Sequence, residues 1–244
     1  SRLFEDLFTL AVEQNYPDSA LYVVATPIGN AADISLRALH VLQLVDMIAC
    51  EDKRNTATLL ARYGIDKPLL AAHEHNEQAA AEQILAHLRQ GARIAFVSDA
   101  GTPAISDPGV RIVTAVRAAG LRVIPLPGAS ATLTALSVAG SLLDAHGGAF
   151  SFIGFLPSKA KQKDTLLRTL ANHPYALVMY EAPHRIAATL TALSVCLPPQ
   201  RQLLIGRELT KCFEQIVTCT VAEGPHWVAA DSNHVRGEFV LIVE

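Results

Sequence analysis

The chain has 244 residues, with 20 Lys and Arg against 23 Asp and Glu, giving a formal net charge of -3. Half of the residues are hydrophobic and only 18% are charged, which excludes disordered, collagen-like and coiled-coil chains. The length allows one large domain or two small ones with real cores, and the charge leaves no overall basic footprint of a nucleic-acid binder.

Cys50, Cys196, Cys212 and Cys219 form no CxxC pair, so the chain reads as a reduced, cytoplasmic protein without structural zinc. The uncharged run 123–143 contains Pro125, Pro127, Gly128 and five Ser or Thr residues. It reads as a strand end, a turn and a short helix rather than a membrane span. No basic segment leading into an apolar run suggests secretion. The chain opens at Ser1 and stops directly after a strand-like run, as a piece of a longer protein would.

Residues 1–19 read as a helical extension, with Leu3, Leu7 and Leu10 at i, i+4 and i+7 available to pack on a partner. From 20 to 127 a strand, loop, helix, loop pattern repeats. The segments 21–26, 46–50, 92–98 and 121–126 are nearly continuous apolar runs, suited to parallel strands covered on both faces. Helical stripes lie between them: Thr56, Leu59, Leu60 and Tyr63; Ala81, Ile84, Leu85 and Leu88; Val110, Val113 and Val116. Gly64, Gly91 and Gly120 follow these helices as left-handed stops. The pattern predicts a mostly parallel, doubly wound α/β domain.

A second α/β domain is expected over 128–244. It contains a strand at 151–157, a Lys-rich helix at about 158–171, a strand at 175–180 and a helix with Ile186, Leu190 and Leu193 as its apolar stripe. Strand-like runs at 202–209 and 213–221 leave no room for a helix between them, so this sheet is expected to be mixed. A final strand occupies 237–243.

Ligands of open α/β sheets sit at the carboxyl ends of the strands. Three loops there stand out. TPIGN (26–30) lacks the glycine patterns of nicotinamide sites and P-loops, but lets backbone approach a ligand. SDAGTPAISDPG (98–109) is longer than a connection requires, and Asp99 would present a carboxylate at the strand tip. Asp107 followed by Pro108 reads instead as a helix start. PGASA (127–131) places small residues at a helix start. HEHNE carries His73 and His75 two apart, a spacing open to a metal, but no further ligand set accompanies it and Asn76 reads as a helix cap.

VATPIGN, EDKR, HEHNE, SDAGTPAISDPG, PGASA, YEAPHR, RELTK and GEFVLIVE occur in this order. Together they resemble the bacterial ribosomal RNA small subunit methyltransferase I family, a branch of the tetrapyrrole methylase (class III) enzymes, over about 21–244. The resemblance implies a tetrapyrrole methylase-like homodimer of two α/β domains, with S-adenosylmethionine in the cleft between the domains. It also implies 2'-O-methylation of a cytidine ribose in the decoding region of 16S rRNA on the small ribosomal subunit, with no DNA or membrane partner.

Matched position by position, the resemblance assigns cofactor contacts to Pro27, Ile28, Gly29, Asn30, Asp99, Gly101, Thr102, Pro103, Ser130 and Ala131. From the second domain it adds Met179, Tyr180, Gly237, Glu238 and Phe239. Lys53 stands where relatives usually have Thr, and relatives continue past GEFVLIVE with a small basic helical segment. A ribose hydroxyl is a poor nucleophile, so a general base would help, and Glu181, His184 and Glu208 are the candidates. Lys53, Arg54, Lys159, Lys161, Lys163, Arg185, Arg207 and Lys211 are candidates for RNA contact. A structural Glu208–Lys211 ion pair is the alternative for that pair, and methylation of a small tetrapyrrole is the competing activity.

Overall fold

The computed structural model describes residues 1–105 and 109–244, and the expected cap Asp107 lies outside them. The chain divides into two compact units, Ser1–Ser130 and Ala131–Glu244, three residues later than the motif-based boundary. The N-terminal helix belongs to the first unit.

That unit begins with α1 (Arg2–Val12) and continues through β1 (Ala20–Val24), α2 (Leu36–Leu44), β2 (Met47–Cys50), α3 (Lys53–Arg62) and β3 (Leu69–Ala71). It ends with α4 (Glu77–Arg89), β4 (Arg93–Val97), α5 (Gly109–Ala118) and β5 (Arg122–Leu126). All strand pairs are parallel, in the order β3-β2-β4-β1-β5. Local chemistry sets the helix starts: Ser35 accepts from the Ala38 N–H, and Asp52 accepts from the N–H groups of Arg54 and Asn55. Gly64, Gly91 and Gly120 all take positive φ at the expected stops.

Hydrophobic layers cover both faces of the sheet. Val41, Leu42 and Leu60 pack on one side, and Ile84, Leu88, Ile112 and Val116 on the other. Each such side chain contributes about 1.5–3 kcal/mol when fully buried. The third stripe is shifted from its expected position. Val110 is exposed and Ile112 is buried, because α5 turns its Gly109–Ile112–Val116 face to the sheet. The Leu3, Leu7 and Leu10 stripe of α1 also faces outward, and Ala11 is the helix's buried residue.

The second unit contains α6 (Ala131–Leu136), α7 (Ser141–Asp144), β6 (Phe150–Phe155), α8 (Ala160–Leu170), β7 (Ala176–Glu181) and α9 (Ile186–Cys196). It continues with β8 (Gln202–Arg207), β9 (Gln215–Thr220), α10 (Gly224–Ala230) and β10 (Phe239–Val243). The sheet order is β6-β7-β10-β8-β9; β6 and β7 are parallel and the other pairs antiparallel. Ile186, Leu190 and Leu193 are fully buried against this sheet. The sheet is therefore mixed, as expected. Among the described residues, no helix is long and apolar enough to cross a membrane.

Candidate functional site

In the first unit, neighbouring strands β1 and β4 send their chains in opposite directions. The β1 connection leads through α2 to β2 on one side, and the β4 connection through α5 to β5 on the other. This is a topological switch point, where an open parallel sheet leaves a crevice at its carboxyl edge. Both long motif loops originate there.

The loops are tied to each other. Thr26 and Gly101 form an antiparallel bridge, with the Thr26 N–H donating to Gly101 O at 3.1 Å and the Gly101 N–H to Thr26 O at 3.0 Å. The buried Thr26 hydroxyl donates to Ser98 O at 3.1 Å, and Ser98 Oγ donates to Gly101 O at 2.9 Å. The third loop joins through Thr102, whose hydroxyl donates to Ala129 O at 2.8 Å.

Close packing explains the glycines. Gly101 has φ +80°, and a side chain there would press on Ile28 Cγ2 at 3.3 Å. At Gly128 an added Cβ would lie 2.7 Å from Ala25 Cβ. At both positions the absence of a side chain lets the loop backbone pack directly against a neighbouring side chain, Ile28 or Ala25. Gly29, Asn30 and Asp99 are exposed beside them, whereas Pro27 and Pro103 are buried wedges. Asn30 is partly committed, since its side chain accepts from the Ala32 N–H at 3.0 Å.

Three carboxylates gather on the β2 and β4 side. Asp52 caps α3, while Glu51 and Asp99 feel one another electrostatically. Although Asp99 is exposed, partial desolvation at the strand tip pushes its carboxyl up; a hydrogen bond from Asn55 opposes this, and the charge of Asp52 adds to the rise. Burial also raises Glu51, with Asp99 adding to it. Sequence reading singled out Asp99 and missed Glu51 and Thr26, although all three lie in quoted motifs. Lys53 and Arg54 are exposed at the start of α3.

In the second unit, Tyr180 is the centre of an aromatic group at the end of β7. Its hydroxyl lies 2.7 Å from Thr132 Oγ1 and accepts from the Thr132 N–H at 3.2 Å. Phe152 and Phe155 meet its ring edge-on at 5.1 and 5.8 Å. They reach the same ring because a register shift between Phe152 and Gly154 inserts an extra residue into β6.

Several expected site residues need correction. Lys163 is 5% exposed and its Nζ donates inward to Thr189 Oγ1, so it cannot lie on a solvent-facing basic patch. Lys159 and Lys161 are exposed. Met179 and Phe239 place their side chains in the core, leaving only backbone for a ligand. Glu181 is buried, accepting from the Ala182 N–H and the Thr189 hydroxyl, which removes it as a solvent-facing base.

Glu208 is engaged as well. It accepts from Lys211 Nζ at 2.9 Å and the Glu238 N–H at 2.8 Å, while Lys211 also donates to Glu238 Oε2 at 2.8 Å. Burial pulls its carboxyl up, but these bonds outweigh that and hold it below the ordinary range. Glu208 is thus a poor base, and two carboxylates neutralise Lys211. The clamp closes on Gly237, at φ +90°, where a Cβ would fall inside the Glu208 side chain. Arg207 is braced by Gln215 Oε1 and Arg236 O. His184 is exposed.

The HEHNE segment makes a local turn. Asn76 Oδ1 accepts from the His73 N–H and Asn76 Nδ2 donates to Ala71 O, so the side chain faces back instead of capping α4. Among the described residues, no group of three His, Cys, Asp or Glu side chains could hold a metal.

A switch-point crevice is common to many enzymes, so relatives decide the assignment. Residues 20–224 match the family described as Tetrapyrrole (Corrin/Porphyrin) Methylases. The ribosomal RNA small subunit methyltransferase I of Xylella fastidiosa (strain Temecula1) is 50% identical over 92% of this chain and 81% of its own length. The chain belongs to the ribosomal RNA small subunit methyltransferase I family. The Escherichia coli O157:H7 member of that family is 49% identical over 92% of this chain and 77% of its own length. Uroporphyrin-III C-methyltransferase from Thermus thermophilus, solved with S-adenosyl homocysteine, shares the fold. It aligns with a TM-score of 0.61 at 18% identity, covering 92% of this chain and 96% of that one. Family membership makes the protein a methyltransferase.

Proposed function

We propose that the protein uses S-adenosylmethionine to methylate the 2'-oxygen of a cytidine ribose in the decoding region of 16S rRNA, on the small ribosomal subunit. The observation that carries the reading is the bonded loop pair at the β1/β4 switch point, in a chain about half identical to enzymes named for ribosomal RNA. A cytoplasmic homodimer is part of the same proposal.

The residues of the first unit fit the cofactor. Three loops are tied together at the strand ends, closely packed at Gly101 and Gly128, beside the exposed Asp99 carboxylate. Asp99 would accept hydrogen bonds from the hydroxyls or ammonium of the cofactor. Gly29, Gly101, Thr102 and Ser130 would line it with backbone. The second unit's share, through Tyr180 and the backbone of Met179, Gly237, Glu238 and Phe239, rests on the motif match.

The bound cofactor supplies an electrophilic methyl group on a sulfonium. The chain's task is to hold the ribose oxygen in line with it, and such positioning can supply about 7–11 kcal/mol of the barrier. His184 is the remaining base candidate and would take the proton of the 2'-hydroxyl on a ring nitrogen. Lys53, Arg54, Lys159, Lys161, Arg185 and Arg207 would meet RNA phosphates.

Transfer from radiolabelled S-adenosylmethionine to small subunits lacking the modification tests the reading, followed by nucleoside mass spectrometry. It predicts 2'-O-methylcytidine from one site. Label entering uroporphyrinogen but not rRNA would replace it with tetrapyrrole methylation.

A further inference from the structure

Strand β7 ends in a buried polar network with an unequal number of charges. The Glu181 side chain is 1% exposed. Thr189, fully buried in α9, donates its hydroxyl to Glu181 Oε2 at 2.6 Å and accepts from Lys163 Nζ at 3.2 Å. A hydroxyl has one proton to give, so the direction is fixed: ammonium to hydroxyl to carboxylate. Arg185 Nε lies 3.7 Å from Glu181 Oε1, and this buried nitrogen makes no hydrogen bond among the described residues.

Two cations therefore share one carboxylate. Burying an ammonium against a neutral hydroxyl is unfavourable unless a nearby charge compensates it, and Glu181 supplies that charge through Thr189. Glu181 cannot also neutralise Arg185, so one positive charge is left over. The Arg185 side chain is 31% exposed, and the excess charge reaches solvent there. Arg185 is also the N-cap of α9, an eleven-residue helix whose first turn has no side-chain cap, which adds the positive end of the helix dipole.

We propose that Arg185 seats one phosphodiester of the substrate RNA, and that Lys163, Thr189 and Glu181 are positioning residues that fix its guanidinium. The inference rests on the rRNA methyltransferase reading for the identity of the anion. Lys163 is given a structural part in substrate binding although it never faces the substrate. Thr189 acts as the hinge of the network, with no contact to RNA.

The test is fluorescence anisotropy of a labelled single-stranded oligoribonucleotide titrated with the 244-residue chain over a series of KCl concentrations. Arg185→Gln is expected to weaken binding about tenfold at low salt and to lower the slope of log affinity against log salt by about one. Thr189→Val should move both quantities in the same direction, and Thr189→Ser should restore them, since it keeps the hydroxyl. A purely structural role for Thr189 would change stability without changing the salt slope. An Arg185→Gln protein with wild-type affinity and slope overturns the proposal, as does wild-type protein that binds no RNA. The reading beneath it fails separately: the slopes could change as predicted while no methyl group reaches rRNA, and then the phosphate seat stands without the activity.

Discussion

Thr26 and Gly101 exchange both of their backbone hydrogen bonds, at 3.1 and 3.0 Å, across the ends of adjacent strands β1 and β4. The exchange holds together two loops 75 residues apart in sequence at the crevice proposed for the cofactor. Gly101 permits it by taking φ +80° beside Ile28. Gly101→Ala should cost about 1–2 kcal/mol from the left-handed backbone alone. Urea unfolding measures that loss, and calorimetry should find weaker S-adenosylmethionine binding in the same variant.

Asp99 should be a residue whose removal stabilises the protein while harming its site. Its folded pKa is raised, chiefly by partial desolvation, so its favourable contribution is complete below the unfolded pKa and lost as pH rises through the folded value. Asp99→Asn removes that loss and relieves Glu51, which Asp99 also raises. The variant should melt at a higher temperature than wild type above the carboxylate range, with the gap closing in acid. Thermal melts against pH give the comparison, and an equal or lower melting temperature at neutral pH contradicts the assignment.

The Glu208–Lys211–Glu238 clamp should be strongest at neutral pH. Burial lowers Lys211, but the bonds to Glu238 and Glu208 outweigh it and raise the ammonium's pKa. Its contribution is full below the unfolded Lys pKa and fades as pH rises through the raised one. Glu208, held low, contributes above its unfolded pKa and loses that as pH falls through the depressed value. Lys211→Met should cost about 1–2 kcal/mol at neutral pH, and less in acid, where Glu208 protonates. Urea midpoints at neutral and acid pH check this.

Tyr180→Phe removes the hydroxyl that meets Thr132 Oγ1 and N–H. The stability loss should be about 1 kcal/mol, with Thr132 left short of a partner. If Tyr180 also touches the cofactor, its affinity falls too, which titration of the same variant separates from stability.

Much of this was legible in the chain. Strands β1, β2 and, after Arg93, β4 are apolar because both sheet faces are covered there, and β5 is apolar after Arg122; β3, only Leu69, Leu70 and Ala71, is too short to stand out. The three ligand-edge loops could be found from their Gly, Pro and Asp content. Their mutual bonding could not, since it depends on β1 lying beside β4. Lys163 misled for a local reason: within a Lys-rich run it reads as surface, but helix period places it on the face of Leu167. Glu181 and Glu208 are both candidate bases in sequence; the Glu208–Lys211 ion pair, already an alternative at three-residue spacing, is the one found, whereas the Thr189 bond that engages Glu181 shows only in the structure.

Calorimetric titration of the wild-type chain and the Gly101→Ala and Asp99→Asn variants with S-adenosylmethionine tests the central claim most directly. The account predicts saturable binding at one site per chain, weakened in both variants although Asp99→Asn is the more stable protein. Folded wild-type protein that shows no binding, or variants that bind as tightly as wild type, would contradict the placement of the cofactor at the β1/β4 crevice.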